Sequence, residues 1–279
     1  MMPHVFIPIR TIELVAWDFD AYKPRPESYD HEKPGKARDL VFQRRLNHCS
    51  IALCEEETRL LRDTLDTQLS RHDLRAEMRG LDWSLGVVDL RRLLAFQRRL
   101  SFNSTLPAIT VPPQCDWGGL IEIAFASPNP VICDVIHDRD KKTVTLQSSN
   151  PNVQLKVTQD PAMPVAVYAG SPFFEVAQYA GRWFLRDGYH RAYDLLRAGI
   201  FRLPAVIVRA RTLEELGAVQ PRFFSEAILF SEHPPFVTDF LNESLTIEYD
   251  RHPIIKTLRI TMEESFTFPL PIAISGEQL

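Results

Sequence analysis

The sequence predicts a mixed α/β protein, and three observations carry that prediction. Residues 183–209 read as a strand, a tight turn, a helix and a second strand. Residues 120–157 alternate apolar and polar side chains in short runs separated by turn residues, the period of half-buried strands. Residues 55–79 instead repeat leucines at helical spacing. With 279 residues the chain has room for about two domains, or for one domain with long embellishments. A formal net charge of -4 removes any global attraction to nucleic acid or to an anionic membrane, so polyanion binding has to be local.

In chain order, residues 5–17 are apolar and β-branched, and Pro8 among them points to short edge strands. Residues 23–36, with Pro24, Pro26, Pro34 and Gly35, read as a linker. Helix is expected over 55–79, with Leu61, Leu65 and Leu69 on one face, acids at its start and Arg71, Arg75 and Arg79 at its end. Gly80 would stop it, and residues 70–73 are where it would break in two. Residues 85–90 form a short strand, after which Asp89 caps a helix over 91–100. Arg91 and Arg98, like Arg92 and Arg99, then share a face, read as a solvated charge stripe. Strands follow at 120–126, 131–137, 143–146 and 153–157, joined as a meander of hairpins through turns at 127–130, 138–141 and 148–151. Further apolar runs occur at 165–168 and 173–179; Thr212 caps a short helix, Pro221 begins another, and residues 245–249, 254–261 and 266–274 are closing strands.

The first residues lack an apolar run of signal-peptide length, and no run approaches the roughly 18 apolar residues of a spanning helix. The four cysteines show no paired C-x-x-C spacing, so a reduced, cytoplasmic setting is expected. Asp18 and Asp20 end an apolar run loosely like the nucleophile motif of haloacid-dehalogenase-like phosphatases, but no doubly wound pattern follows. Cys133, His137, Asp138 and Asp140 are only a fragment of a zinc pattern and read as a strand and a polar turn.

The turn at 187–191 concentrates the chemistry. The strand ending Trp183-Phe184-Leu185 leads to Asp187 and Gly188, then to a helix with Ala192, Leu195 and Leu196 inward. Gly199, followed by Ile200, stops that helix. Free N–H groups at the helix start favour an anion, and Gly188 lets a ligand approach the backbone. Arg191 can grip phosphate oxygens with two donors, and His190 can donate a hydrogen bond or titrate near neutral pH. Asp187 can orient the ligand, act as a base, or sit over a magnesium ion through water. The alternative is structural: Asp187 as a helix cap, Arg191 as its i+4 ion-pair partner, His190 as a surface residue.

Gly188, His190 and Arg191, then Leu196, Ala198, Gly199 and Ile200, then Leu203 to Val208 with Pro204, resemble the central motif of the ParB/sulfiredoxin superfamily over about thirty contiguous residues. There a strand enters a Gly-x-(His or Arg)-Arg turn, and the following helix ends in Ala-Gly-(Leu or Ile) before an Ile-Pro-Val-x-Val strand. Val87 to Leu90 with Leu93, Leu94 and Gln97 resemble the domain's opening strand and helix. The resemblance implies a ParB/sulfiredoxin-like core at 81–211 with a β-rich insertion at about 103–162, a strand and helix extension at 1–80 and a C-terminal extension at 212–279.

It also implies roles. Gly188, His190 and Arg191 would contact phosphate, Asp187 would be the catalytic residue, and the ligand would be a nucleotide (ATP, ADP or CTP) with Mg2+, or a phosphorylated small molecule. Sulfiredoxins carry their cysteine nucleophile at the place of Tyr189, so thiol chemistry is not expected here. Partition members add a Glu-Asn-x-x-Arg motif and a helix-turn-helix after the strand, and neither follows Val208. The leading expectation is a nucleotide- or phosphate-binding protein, with NTP hydrolysis or small-molecule phosphotransfer as its chemistry. The alternatives are a non-enzymatic interaction module retaining the fold, and a DNA-binding or nuclease protein, against which the acidic balance argues.

Overall fold

The computed structural model describes residues 8–18, 25–44, 51–103, 111, 115–127, 131–150, 152–157, 165–218 and 223–267. The fold is mixed α/β, as the sequence predicts. It divides into two units, Met1–Pro130 with Ala169–Pro253, and Val131–Tyr168 with Ile254–Leu279.

The first unit begins with β1 (Ile9–Leu14) and α1 (Lys33–Phe42), then α2 (Glu55–Leu60), α3 (Arg62–Leu69) and α4 (His72–Glu77). Next come β2 (Trp83–Asp89), β3 (Leu94–Ala95), β4 (Arg99–Phe102) and α5 (Trp117–Ala124). The second unit holds β5 (Asp134–Asp138), β6 (Thr143–Ser148), β7 (Gln154–Val157) and β8 (Val165–Tyr168). The chain then returns with β9 (Glu175–Tyr179), β10 (Arg182–Asp187), α6 (Tyr189–Arg197), β11 (Arg202–Arg209), α7 (Leu213–Leu216), α8 (Glu226–Leu229) and β12 (Thr246–Arg251). β13 (Lys256–Thr261) belongs to the second unit.

A five-stranded sheet, order β2-β11-β9-β10-β3, forms the centre of the first unit. β11 runs antiparallel to β2 and parallel to β9, β9 and β10 are antiparallel, and β3 lies parallel to β10. Its strands are apolar over most of their length because both faces are covered. Phe184, Leu185, Val206, Phe173 and Phe174 are fully buried, and α6 lays Ala192, Leu195 and Leu196 into the same core. Each of those leucines contributes about 1.5–3 kcal/mol by leaving water. β1 is the middle strand of a second sheet, order β12-β1-β4. In the second unit β13-β6-β5 form an antiparallel sheet, and β7 and β8 a hairpin.

Several local expectations are met. The helical stretch 55–79 is interrupted at Leu61 and again at residues 70–71, and Gly80 beyond it has φ +84°. Thr212 caps α7 by accepting from the Glu215 N–H. The 138–141 turn closes a hairpin in which Asp138 accepts from Lys141 N at 3.1 Å. Pro221 and most of 266–274 lie outside the described residues.

Three expectations are corrected. β1 is not an edge strand: Pro8 precedes it, and the strand is paired on both sides. Residues 91–100 are not a helix. Asp89 caps only a single 3-10 turn, Leu90–Arg92, and the chain then extends through β3 and β4 because Leu93, Leu94, Ala95 and Phe96 are buried all round. The arginine stripe therefore dissolves: Arg98 is buried over the Phe224 ring and paired with Asp18 at 2.8 Å, and Arg99 with Glu13 at 2.8 Å. Residues 117–124 are a helix, not a strand. Asp116 accepts from the Gly119 N–H at 3.0 Å, and Leu120, Ile121 and Ala124 recur at helical spacing on the buried face.

Candidate functional site

The site is assembled where β9 begins, β10 ends and α6 starts. β10 brings Asp187 opposite Glu175 of β9, and the register slips between Leu185 and Asp187, leaving Arg186 as the extra residue of a bulge. Bulges re-aim side chains: Arg186 Nη1 donates to the Glu175 carboxylate, and its Nε donates to the Glu215 carbonyl at 3.1 Å.

Gly188 is the N-cap of α6 with φ +100° and ψ 24°, a left-handed conformation that costs other residues strain. A Cβ there would lie 2.5 Å from Cδ2 of Phe174, which is itself fully buried. The space that glycine leaves open is thus filled by a phenylalanine ring of the core rather than by room for a ligand on that side. Having no side chain, Gly188 caps none of the N–H groups of the first turn of α6.

Arg191 points into the protein. Its Nη1 donates to the carbonyls of Pro172 at 2.7 Å and Ile123 at 3.2 Å, and its Nη2 to that of Phe173 at 2.6 Å. Asp187 Oδ1 stands 3.5 Å from Nη2. The guanidinium, 9% exposed, ties together the end of α5, the approach to β9 and the start of α6, and burial pulls its pKa below the ordinary value. It is a brace for the turn.

His190 turns another way, onto β4. Its Nε2 lies 3.0 Å from the Ser101 carbonyl, which fixes the proton on that nitrogen, and its ring meets Phe102 edge-on at 5.1 Å. The ring remains exposed. Tyr189, at the place of the sulfiredoxin thiol, is buried, with its hydroxyl accepting from Phe96 N at 3.0 Å and Gln97 N at 3.3 Å. That hydroxyl serves the backbone and is no nucleophile.

Of the four residues singled out from sequence, the structure brings Asp187, Gly188 and Arg191 together and sends His190 to β4. Asp187 is the accessible member, its side chain 39% exposed. The packing around its carboxyl raises its pKa, while Arg191 and the N–H groups of Ser171 and Gly188 oppose the rise.

Glu175 is the functional candidate that sequence reasoning missed. It is 2% exposed, and burial raises its pKa to about 7 despite the neighbouring Arg186. The signal was there: one acid inside the apolar run Phe173-Phe174-Glu175-Val176-Ala177 is either an edge residue or a buried carboxylate with a purpose. Among the described residues no group of three or more His, Cys, Asp or Glu side chains is placed to hold a metal. The two carboxylates of the turn would suit magnesium only with a ligand's phosphates supplying further oxygens.

A separate cleft of about 460 Å³ lies past the C-terminal end of α6, lined in part by Arg91, Trp117, Leu120, Phe201 and Arg202. Its two cations are already paired, Arg91 with Asp89 and Arg202 with Glu57. Among the described residues no helix is long and apolar enough to cross a membrane. Compared with models of protein families, with curated proteins and with solved structures, the chain matches none of them.

Proposed function

We propose that this chain is a phosphate- or nucleotide-binding protein with a ParB/sulfiredoxin-like core, and that its ligand sits at the β10–α6 turn. The observation that carries the reading is the helix start itself: α6 begins at a left-handed glycine without a side-chain cap, directly after the partly exposed carboxylate of Asp187. The strand, turn, helix and strand order around it supports the resemblance. In this reading the first-turn N–H groups receive the phosphate, His190 flanks it, and Arg191 acts by holding the turn rather than by touching the ligand. Asp187 is the acid–base group if the bound nucleotide is hydrolysed or transfers its phosphoryl group, with magnesium arriving on the nucleotide's phosphates.

The second reading is a non-enzymatic interaction module, and the engagement of Arg191 with three protein carbonyls favours it. Thermal stability separates the two. Wild type, Asp187→Asn and His190→Ala are melted with ATP, ADP, CTP and GTP, with and without magnesium. A ligand at 100 times its Kd adds about 2.7 kcal/mol. A shift in wild type that His190→Ala weakens, and that Asp187→Asn keeps or enlarges because it removes a negative charge beside the anion, is the expected result. No shift with any nucleotide sinks the phosphate reading and leaves the module.

A further inference from the structure

Two carboxylates at one turn are a poor reception for an anion. Glu175 and Asp187 are register partners across β9 and β10, and Glu77 of α4 adds a third negative charge within electrostatic reach of both. Facing them are Arg186 of β10, bonded to Glu175, Arg191 of α6, beside Asp187, and the nearby hydroxyl of Ser171, which favours the charged form of Glu175. Of these two cations, Arg191 also serves three carbonyls and Arg186 one, so neither is free to offset an incoming charge. Glu175 is buried, and its Oε1 has no hydrogen-bond partner among the described residues. A buried, unpartnered carboxylate oxygen next to another carboxylate is where a proton resides, because one shared proton relieves both the desolvation and the repulsion.

We propose that Glu175 is a positioning residue of the turn site, that it and Asp187 share one proton, and that an anion bound at the turn enters together with that proton. This rests on the phosphate-binding reading. No bond in the ligand forms or breaks in this step; the proton comes from solvent and settles between the two carboxylates. The pKa of Glu175 near 7 places the exchange in the neutral range. Glu175 acts through Asp187, which alone of the pair reaches the ligand.

The test uses the full chain and sulfate, an anion whose own charge does not change between pH 5.5 and 8.5, with ADP as a second probe. Binding is followed at the Gly188 amide by NMR, and protonation at the 13C-labelled Glu175 carboxyl. The expected result is a wild-type sulfate affinity that falls by close to tenfold per pH unit above about pH 7, the slope for one linked proton. In Glu175→Gln the affinity should stay flat over that window, since the amide cannot titrate. In Asp187→Asn the Glu175 carboxyl should titrate at lower pH than in wild type. Binding without pH dependence, or a Glu175→Gln profile like that of wild type, overturns the shared proton while leaving the binding site standing. An Asp187→Asn protein whose Glu175 titrates as before overturns it in the free protein. No sulfate or ADP binding at any pH overturns the phosphate-binding reading itself, and the anion-linked part of this proposal with it.

Discussion

Replacing Arg191 by methionine tests the central finding about the turn, because the two views of this residue predict different losses. As a brace it makes three charge-assisted hydrogen bonds to the carbonyls of Pro172, Ile123 and Phe173, at 2.7, 3.2 and 2.6 Å. Bonds to charged groups are worth about 1.5–3 kcal/mol each, and their loss leaves buried carbonyls unpaired. Against this stands relief from burying a guanidinium, the same burial that lowers its pKa. Methionine also keeps much of the apolar stem. Breaking a buried charged network from one side costs about 3–5 kcal/mol, and the relief puts Arg191→Met near the lower end, about 3 kcal/mol. Urea unfolding at pH 7 measures it. Arg191→Lys should lose most of the same stability, because an ammonium cannot span three carbonyls with a planar fork. A loss below about 0.5 kcal/mol, the usual effect of a surface substitution, would refute the brace and return Arg191 to the ligand.

Three further outcomes are expected. The pKa of Glu175 is raised from 4.5 to about 7, so between those values the folded protein keeps a proton that the unfolded chain has released. The contribution of Glu175 to stability is therefore greatest at acid pH and falls by about 3 kcal/mol as pH rises from about 4.5 to about 7, whereas Glu175→Gln lacks that decline; urea titrations at pH 5 and 8 compare them. Gly188→Ala combines left-handed strain with a Cβ placed 2.5 Å from Phe174, and should lose about 2–4 kcal/mol by thermal melting; a loss under 1 kcal/mol would mean the ring moves aside freely. Tyr189→Phe leaves the Phe96 and Gln97 N–H groups without their acceptor, an expected loss of about 1–3 kcal/mol, and unchanged amide exchange at those two residues would contradict it.

What could be read in the chain beforehand was local. Gly199 takes φ +76° and the Ile200 N–H returns to the Leu195 carbonyl, the glycine stop that the letters around it spell out. The same holds for the Thr212 cap and the 138–141 turn. Residues 91–100 and 120–126 misled because both are short, and periodicity over so few residues does not separate strand from helix. Packing separated them: residues 93–96 are buried on every side and extend, while Asp116 supplied a cap that made 117–124 helical. Glu13 was invisible as an anchor for a similar reason. Its carboxylate gathers Arg25 at 2.6 Å, Arg99 at 2.8 Å and the Tyr249 hydroxyl at 2.9 Å from widely separated parts of the chain.

At the turn the division is sharp. The sequence by itself determined that a strand runs into a glycine and then a helix, and that an acid, a histidine and an arginine crowd that junction, because apolar runs, caps and glycines act on their immediate neighbours. Only the tertiary structure decided that Arg191 faces the carbonyls of Pro172, Phe173 and Ile123, that His190 leaves for Ser101, and that Glu175 comes to stand beside Asp187. A guanidinium's partners and a carboxylate's ionisation depend on which distant groups are packed against them and how much water remains, and neither quantity exists until β9, β10, α5 and α6 have come together.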